Sequence, residues 1–125
     1  INGGVQLDLM GQENAESTGT RQLSGVGGQM DFLEGAYRSK GGKGFICINS
    51  SRVTKDGERK SNILATIPGG STISAPRTMI QYVATEYGIA SLSGKTLRER
   101  AEAMASIAHP DFREELMKYA QENFK

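Results

Sequence analysis

Glycine punctuates this sequence. Sixteen glycines against three prolines divide it into short apolar stretches, the longest being runs such as Phe45 to Ile48. Apolar periodicity persists between the glycines and there are no Ser or Gln tracts, so they mark turns and close backbone approaches in a folded chain. Runs this short fall far below the roughly 20 residues of a membrane-spanning helix. A chain of 125 residues with 37% hydrophobic content is expected to build one core, so residues 1–125 are read as a single domain.

Val5, Leu7 and Leu9 alternate with Gln6, Asp8 and Met10, which predicts a strand with one face more buried than the other, ended by Gly11. A polar stretch follows, then the loop Gly25-Val26-Gly27-Gly28 and a short helix from Gln29 to Arg38 carrying Met30, Leu33 and Tyr37 at helical spacing. Ser39 to Gly44 forms a second glycine-rich turn, leading into Phe45 to Asn49 as a buried strand. The Asp-Gly signal within Lys55 to Glu58 precedes an apolar strand, Asn62 to Ile67, and predicts a hairpin. Ser71 to Ser74 is β-prone, and Gln81 to Thr85 reads as a strand ending at Glu86-Tyr87-Gly88.

Thr96 and Glu99 make a capping box for a helix with Leu97, Ala101, Met104, Ala105 and Ala108 on one face and Arg98, Glu99 and Glu102 on the other. His109-Pro110 breaks it. Asp111 is placed to cap a last helix bearing Phe112, Leu116, Tyr119 and Ala120. Strands first and two helices at the end predict an α/β domain.

Fifteen basic and fourteen acidic residues leave a formal charge of +1, scattered along the chain, which argues against nucleic acid as a partner. The amides of Gly25 to Gly28, ahead of a helix, could hold an anion or oxyanion, and a plain tight turn explains the same residues. A dinucleotide fingerprint would need glycine where Met30 stands. Gly94-Lys95-Thr96 resembles the end of a phosphate-binding loop but has Ile89 where that pattern demands glycine, so it is a helix entrance. Cys47, among Phe45, Ile46 and Ile48, is expected to be buried filler. His109 has no Cys or second His nearby, so it is given a structural role and no metal is expected. Glu86 stands where ligands gather in open α/β sheets, though a solvated strand end accounts for it too. Ile1 begins almost at once in a strand-like pattern with neither a starting methionine nor a leader, which reads as part of a longer chain, and one cysteine points to a reducing, cytoplasmic setting.

Asp8-Leu9-Met10-Gly11-Gln12, Ser24-Gly25-Val26-Gly27-Gly28-Gln29-Met30-Asp31-Phe32, Ser39-Lys40-Gly41-Gly42-Lys43, Thr85-Glu86-Tyr87-Gly88-Ile89-Ala90, Leu97-Arg98-Glu99-Arg100-Ala101-Glu102-Ala103 and Ile107-Ala108-His109-Pro110-Asp111-Phe112-Arg113 form an ordered set spanning nearly the whole chain. That set resembles the acetyl-CoA hydrolase/transferase family, in its 4-hydroxybutyrate and butyrate CoA-transferase branch. The resemblance implies a two-domain α/β enzyme in which each half is an open, mostly parallel sheet flanked by helices, with the active site between the halves. Residues 1–125 would be the C-terminal half, ending in two helices, with the N-terminal half absent.

The implied reaction moves coenzyme A between an acyl thioester and a carboxylate through a glutamyl-CoA thioester, with acyl-CoA hydrolysis or a non-catalytic CoA-ester-binding module as alternatives. The family's nucleophilic glutamate belongs upstream of Val5, so this chain alone would be inactive. Gly27 corresponds to the family's oxyanion-stabilising amide, Glu86 to an orienting glutamate, and Gly25, Gly28 and Gln29 to loop neighbours of the acyl-CoA thioester. Lys40, Lys43, Arg52, Lys55, Arg59 and Lys60 could meet the phosphates of coenzyme A, or form a solvated surface. Apolar faces left by the missing half imply self-association into a homo-oligomer.

Overall fold

A computed structural model of the chain describes all 125 residues. Its elements run β1 (Asn2–Gly3), β2 (Gln6–Asp8), β3 (Glu13–Asn14), β4 (Ser17–Thr18), β5 (Arg21–Gln22), α1 (Gln29–Arg38), β6 (Phe45–Cys47), β7 (Ser51–Val53), β8 (Arg59–Ser61), β9 (Ile63–Leu64), β10 (Tyr82–Thr85), β11 (Gly88–Ser91), α2 (Leu97–Ser106) and α3 (Pro110–Asn123). The main sheet has the order β1-β6-β10-β11, with β1, β6 and β10 parallel and β11 antiparallel to β10. This is the α/β architecture expected, with a mostly parallel sheet and two closing helices. A smaller sheet, β3-β2-β9, and the hairpins β4-β5 and β7-β8 complete it.

Burial explains the register. Ile46 faces Val83, and Val83 faces Ala90, so one column of side chains crosses the main sheet into the core. That core also takes Leu7, Leu9 and Ile63 from the smaller sheet, Leu33 from α1, Met104 and Ala105 from α2, and Leu116 and Ala120 from α3. α2 packs on α3 and on β11.

Several expectations shift. The alternation around β2 does not separate an inner from an outer face, because Gln6, Leu7, Asp8 and Leu9 are all buried. Asp8 tolerates this by accepting bonds from Met10 N at 3.0 Å, Gln12 N at 2.9 Å and Gln12 Nε2 at 2.7 Å. The Asp-Gly turn does close a hairpin, but it joins β7 to β8, and β9 instead pairs parallel with β2. No strand forms at Ser71 to Ser74; the next residue, Ala75, makes an isolated bridge to Glu13. A strand unforeseen in the sequence, β11, continues from Gly88.

The helix starts are set locally. Thr96 Oγ1 accepts from Glu99 N at 3.3 Å while Glu99 Oε2 accepts from Thr96 N at 2.8 Å, completing the capping box of α2. Leu97, expected on its apolar face, is exposed, and Arg100 is buried instead. α3 is capped by His109, whose Nδ1 accepts from Asp111 N at 3.2 Å. Pro110 at the first helical position moves the cap ahead of Asp111.

Candidate functional site

The carboxyl ends of β1, β6 and β10 open on a cleft of about 390 Å³ lined by Gly4, Cys47, Ile48, Asn49, Ala84 and Thr85. Open parallel sheets present ligand sites at this end, and the volume is that of a small-molecule pocket. Gly4 is required by close packing: a β-carbon there would lie 2.8 Å from Glu13 Oε1 and 3.0 Å from Ile48 Cγ2. Cys47 is exposed and borders the cleft, which overturns its assignment as buried filler. The pleat of β6 sends Ile46 into the core and Cys47 to the opposite face.

Glu86 and Tyr87 form the two-residue turn between β10 and β11, since Thr85 pairs with Gly88. The Glu86 carboxylate, next in the chain to the cleft-lining Thr85, accepts from Ser50 N at 2.9 Å and Ser50 Oγ at 2.6 Å. Partial desolvation raises its pKa, but the two Ser50 donors and nearby His109 outweigh it and hold the carboxyl below its usual range. The turn is braced from below: Thr85 Oγ1 donates to Ile107 O at 2.7 Å, and the Tyr87 ring meets His109 edge-on at 5.7 Å and the Arg113 guanidinium at 5.4 Å. Each carboxylate oxygen thus accepts one bond, both from Ser50.

The Gly25-Val26-Gly27-Gly28 loop is exposed throughout. Gly27 has φ +64°, a conformation that favours glycine. None of the amides of residues 25–28 donates to another main-chain group, and Gly28 provides α1 with no side-chain cap. The loop and helix start therefore carry free N–H donors of the kind that bind anions.

The predicted site residues separate into three placements. Glu86 follows the cleft wall directly. Gln29 reaches that wall from behind, donating from Nε2 to Glu13 Oε1 at 2.9 Å. Gly25, Gly27 and Gly28 stay in the exposed loop and line no cleft.

Glu13 was not singled out by sequence. It is fully buried, and its pKa is raised from 4.5 to about 7, chiefly by burial, with the Gln29 bond opposing and the Glu16 carboxylate adding to the rise. Its Oε2 has no hydrogen-bond partner. Ser50 was missed as well, although the argument that picked out Glu86, a polar residue just past the end of an apolar strand, applies equally to it.

The basic middle of the sequence is dispersed. Arg52, Arg59 and Lys60 border a second cleft of about 400 Å³ between the β7-β8 hairpin and α3. Each has a local partner: Arg52 bonds Asn62 Oδ1 at 2.6 Å, Arg59 bonds Ser51 Oγ at 2.9 Å, and Lys60 lies 3.9 Å from Glu58. Lys40 and Lys43 lie in the turn before β6, and Lys55 near the hairpin tip. No group of three or more His, Cys, Asp or Glu side chains comes together as a metal site, and no helix is long and apolar enough to cross a membrane.

The family model described as the acetyl-CoA hydrolase/transferase C-terminal domain matches residues 1–120. The chain is 49% identical over 121 residues to the butyryl-CoA:acetate CoA-transferase of Anaerostipes caccae, covering 97% of this chain and 27% of that protein. It is 50% identical over 124 residues to the 4-hydroxybutyrate coenzyme A transferase of Clostridium kluyveri, covering 99% and 28%. The crystal structure of 4-hydroxybutyrate CoA-transferase from Porphyromonas gingivalis superimposes with a TM-score of 0.73 at 40% identity, over 99% of this chain and 26% of that one. The chain thus spans little more than a quarter of the length of the curated relatives it matches.

Proposed function

The chain belongs to the acetyl-CoA hydrolase/transferase family as its C-terminal domain, and from that premise we propose that it serves a longer acyl-CoA:carboxylate CoA-transferase of the butyrate or 4-hydroxybutyrate type. The observation that carries this reading is the cleft at the carboxyl ends of β1, β6 and β10, with the Glu86–Ser50 pair beside it. In this reading coenzyme A passes from an acyl thioester to an acceptor carboxylate through a glutamyl-CoA thioester. The attacking carboxylate comes from a part of the longer protein outside residues 1–125, and that part completes the site.

Glu86 is the orienting carboxylate. Each of its oxygens accepts one bond from Ser50 and its charge is stabilised, so in this reading it fixes the rim of the cleft and does not attack. The free amide of Gly27 donates to the oxyanion that develops at the thioester carbonyl, an interaction worth about 3 kcal/mol in the transition state. Gly25, Gly28 and Gln29 flank the same acyl-CoA group. The exposed Cys47 thiol suits a reducing compartment, so the cytoplasm is the proposed setting. Exposed Leu23, Val26 and Phe32 beside the glycine loop form a face for the rest of the protein or for a second copy.

The test is an exchange assay on the longer protein with butyryl-CoA and acetate. Acetyl-CoA should form, and consumption of butyryl-CoA should depend on acetate. Consumption that proceeds equally without acetate would make the protein a hydrolase, and no consumption at all would leave a CoA-ester-binding module.

A further inference from the structure

Glu13 is anchored through its main chain. Its main chain pairs with Leu7 in β2, its N–H donates to Ala75 O at 3.0 Å, and its carbonyl accepts from Ser74 N at 2.8 Å and Ala75 N at 3.2 Å. The carboxyl lies directly behind Gly4, in the space where a β-carbon would also meet Ile46 and Ile48. A buried carboxyl with one oxygen unpartnered is costly, and a packing role alone would be filled more cheaply by an apolar side chain.

The start of α1 supplies the other half of the argument. A β-carbon on Gly25 or Gly27 would touch nothing within 4 Å, no side chain caps the helix, and the loop amides bond to no main-chain group. The loop's entry is held by Leu23 N and Ser24 N, which donate to Glu16 O at 2.7 and 3.2 Å, and Ser24 Oγ bonds Gly25 O. At its exit, the bond from Gln29 Nε2 to Glu13 Oε1 ties the start of α1 to the carboxyl behind Gly4.

We infer that Glu13 is a positioning residue: through Gln29 it fixes the Gly25–Gly28 loop relative to the sheet end behind Gly4. This rests on the CoA-transferase reading for what the loop does, but not for the hold itself. Because burial keeps a proton on the carboxyl up to about pH 7, glutamine is its close mimic, able to accept from Gln29 through the same oxygen.

Backbone order parameters of residues 25–28 from 15N relaxation test the hold, because these free amides carry no hydrogen bond whose exchange could report it. In Glu13→Leu and in Gln29→Leu they should fall by about 0.2, in Glu13→Gln they should stay within about 0.05 of native, and in the double variant they should fall no further than in either single one. Order parameters in α3 should not change. If Glu13→Leu fails to fold, Gln29→Leu and Glu13→Gln carry the same comparison, since Gln29 is only half-buried. Loop order unaltered by Gln29→Leu, or effects that simply add in the double variant, would overturn the inference. In the longer enzyme, with butyryl-CoA and acetate, Gln29→Leu should lower kcat about tenfold and leave KM within about twofold, as displacement of a reacting geometry does. Lower loop order with kcat unchanged would leave the hold standing and overturn the loop's part in the chemistry.

Discussion

Glu13 and Glu86 are two carboxylates that the fold drives in opposite directions. Glu13 is buried with a single hydrogen bond and titrates near 7, whereas Glu86 is exposed, doubly bonded to Ser50 and held low. Between 4.5 and about 7 the native state therefore keeps a proton on Glu13 that the unfolded chain has lost, and stability falls as pH rises through that window. The full effect is about 3 kcal/mol, because each pH unit separating the folded and unfolded titrations contributes roughly 1.4 kcal/mol. Glu86 acts with the reverse slope: its contribution is present above the ordinary carboxylate range and is lost as pH falls through its lowered value. Glu13→Gln removes only the first of these. Urea unfolding should find the variant more stable than native by up to about 3 kcal/mol at pH 8 and equal to it near pH 4.5, and equal stabilities at pH 8 would show that the Glu13 carboxyl is hydrated.

Elements whose instructions are local were legible, and those specified by distant partners were not. α1 occupies Gln29 to Arg38 as its apolar spacing indicates, and α2 begins at the capping box that Thr96 and Glu99 spell out. Thr96→Ala should remove about 1 kcal/mol and lower the thermal midpoint by about 4 °C; a midpoint within 1 °C would mean that packing on α3 alone fixes where α2 starts. β11 is a different case. Gly88-Ile89-Ala90-Ser91 has little strand character of its own, and its place comes from pairing with β10 and from burial of Ala90. The polar stretch after Gly11 hid more still. Asn14 Oδ1 accepts from Glu16 N, Ser17 N and Thr72 Oγ1, and Ser74 Oγ donates to Glu16, so a stretch that reads as solvated loop is a buried network closed across almost 60 residues. The site divides the same way. Glu86 was found because strand ends are visible in a sequence, while Glu13 was not, because no local pattern announces that a carboxylate will be buried.

What ties these elements into one molecule is legible only in three dimensions. Arg100, on α2, is 8% exposed and has no carboxylate partner. Its guanidinium donates to Met10 O at 2.9 Å from Nε, to Leu92 O at 3.0 Å from Nη1 and to Arg77 O from Nη2. Those carbonyls belong to the segment after β2, the residue just past β11 and the turn before β10, so one side chain clamps three separate stretches of the chain. Gly11 makes room for it, since a β-carbon there would lie 3.0 Å from Nη2. Burial lowers the guanidinium's pKa, yet arginine stays charged, and the planar fork is what reaches three acceptors at once. Arg100→Met keeps the apolar stem but takes this donor from the buried Leu92 carbonyl and from the partly buried Met10 and Arg77 carbonyls. At about 1–3 kcal/mol for the buried carbonyl and less for the two that water reaches, the loss should be roughly 2–3 kcal/mol. Arg100→Lys, a point donor, should recover only part of it. Because the clamp spans both sheets and α2, unfolding should stay a single transition whose urea midpoint falls with its slope unchanged. A variant within about 0.5 kcal/mol of native would mean that water enters and satisfies those carbonyls, and that the core of Leu92, Met104 and Ile80 holds these stretches together unaided.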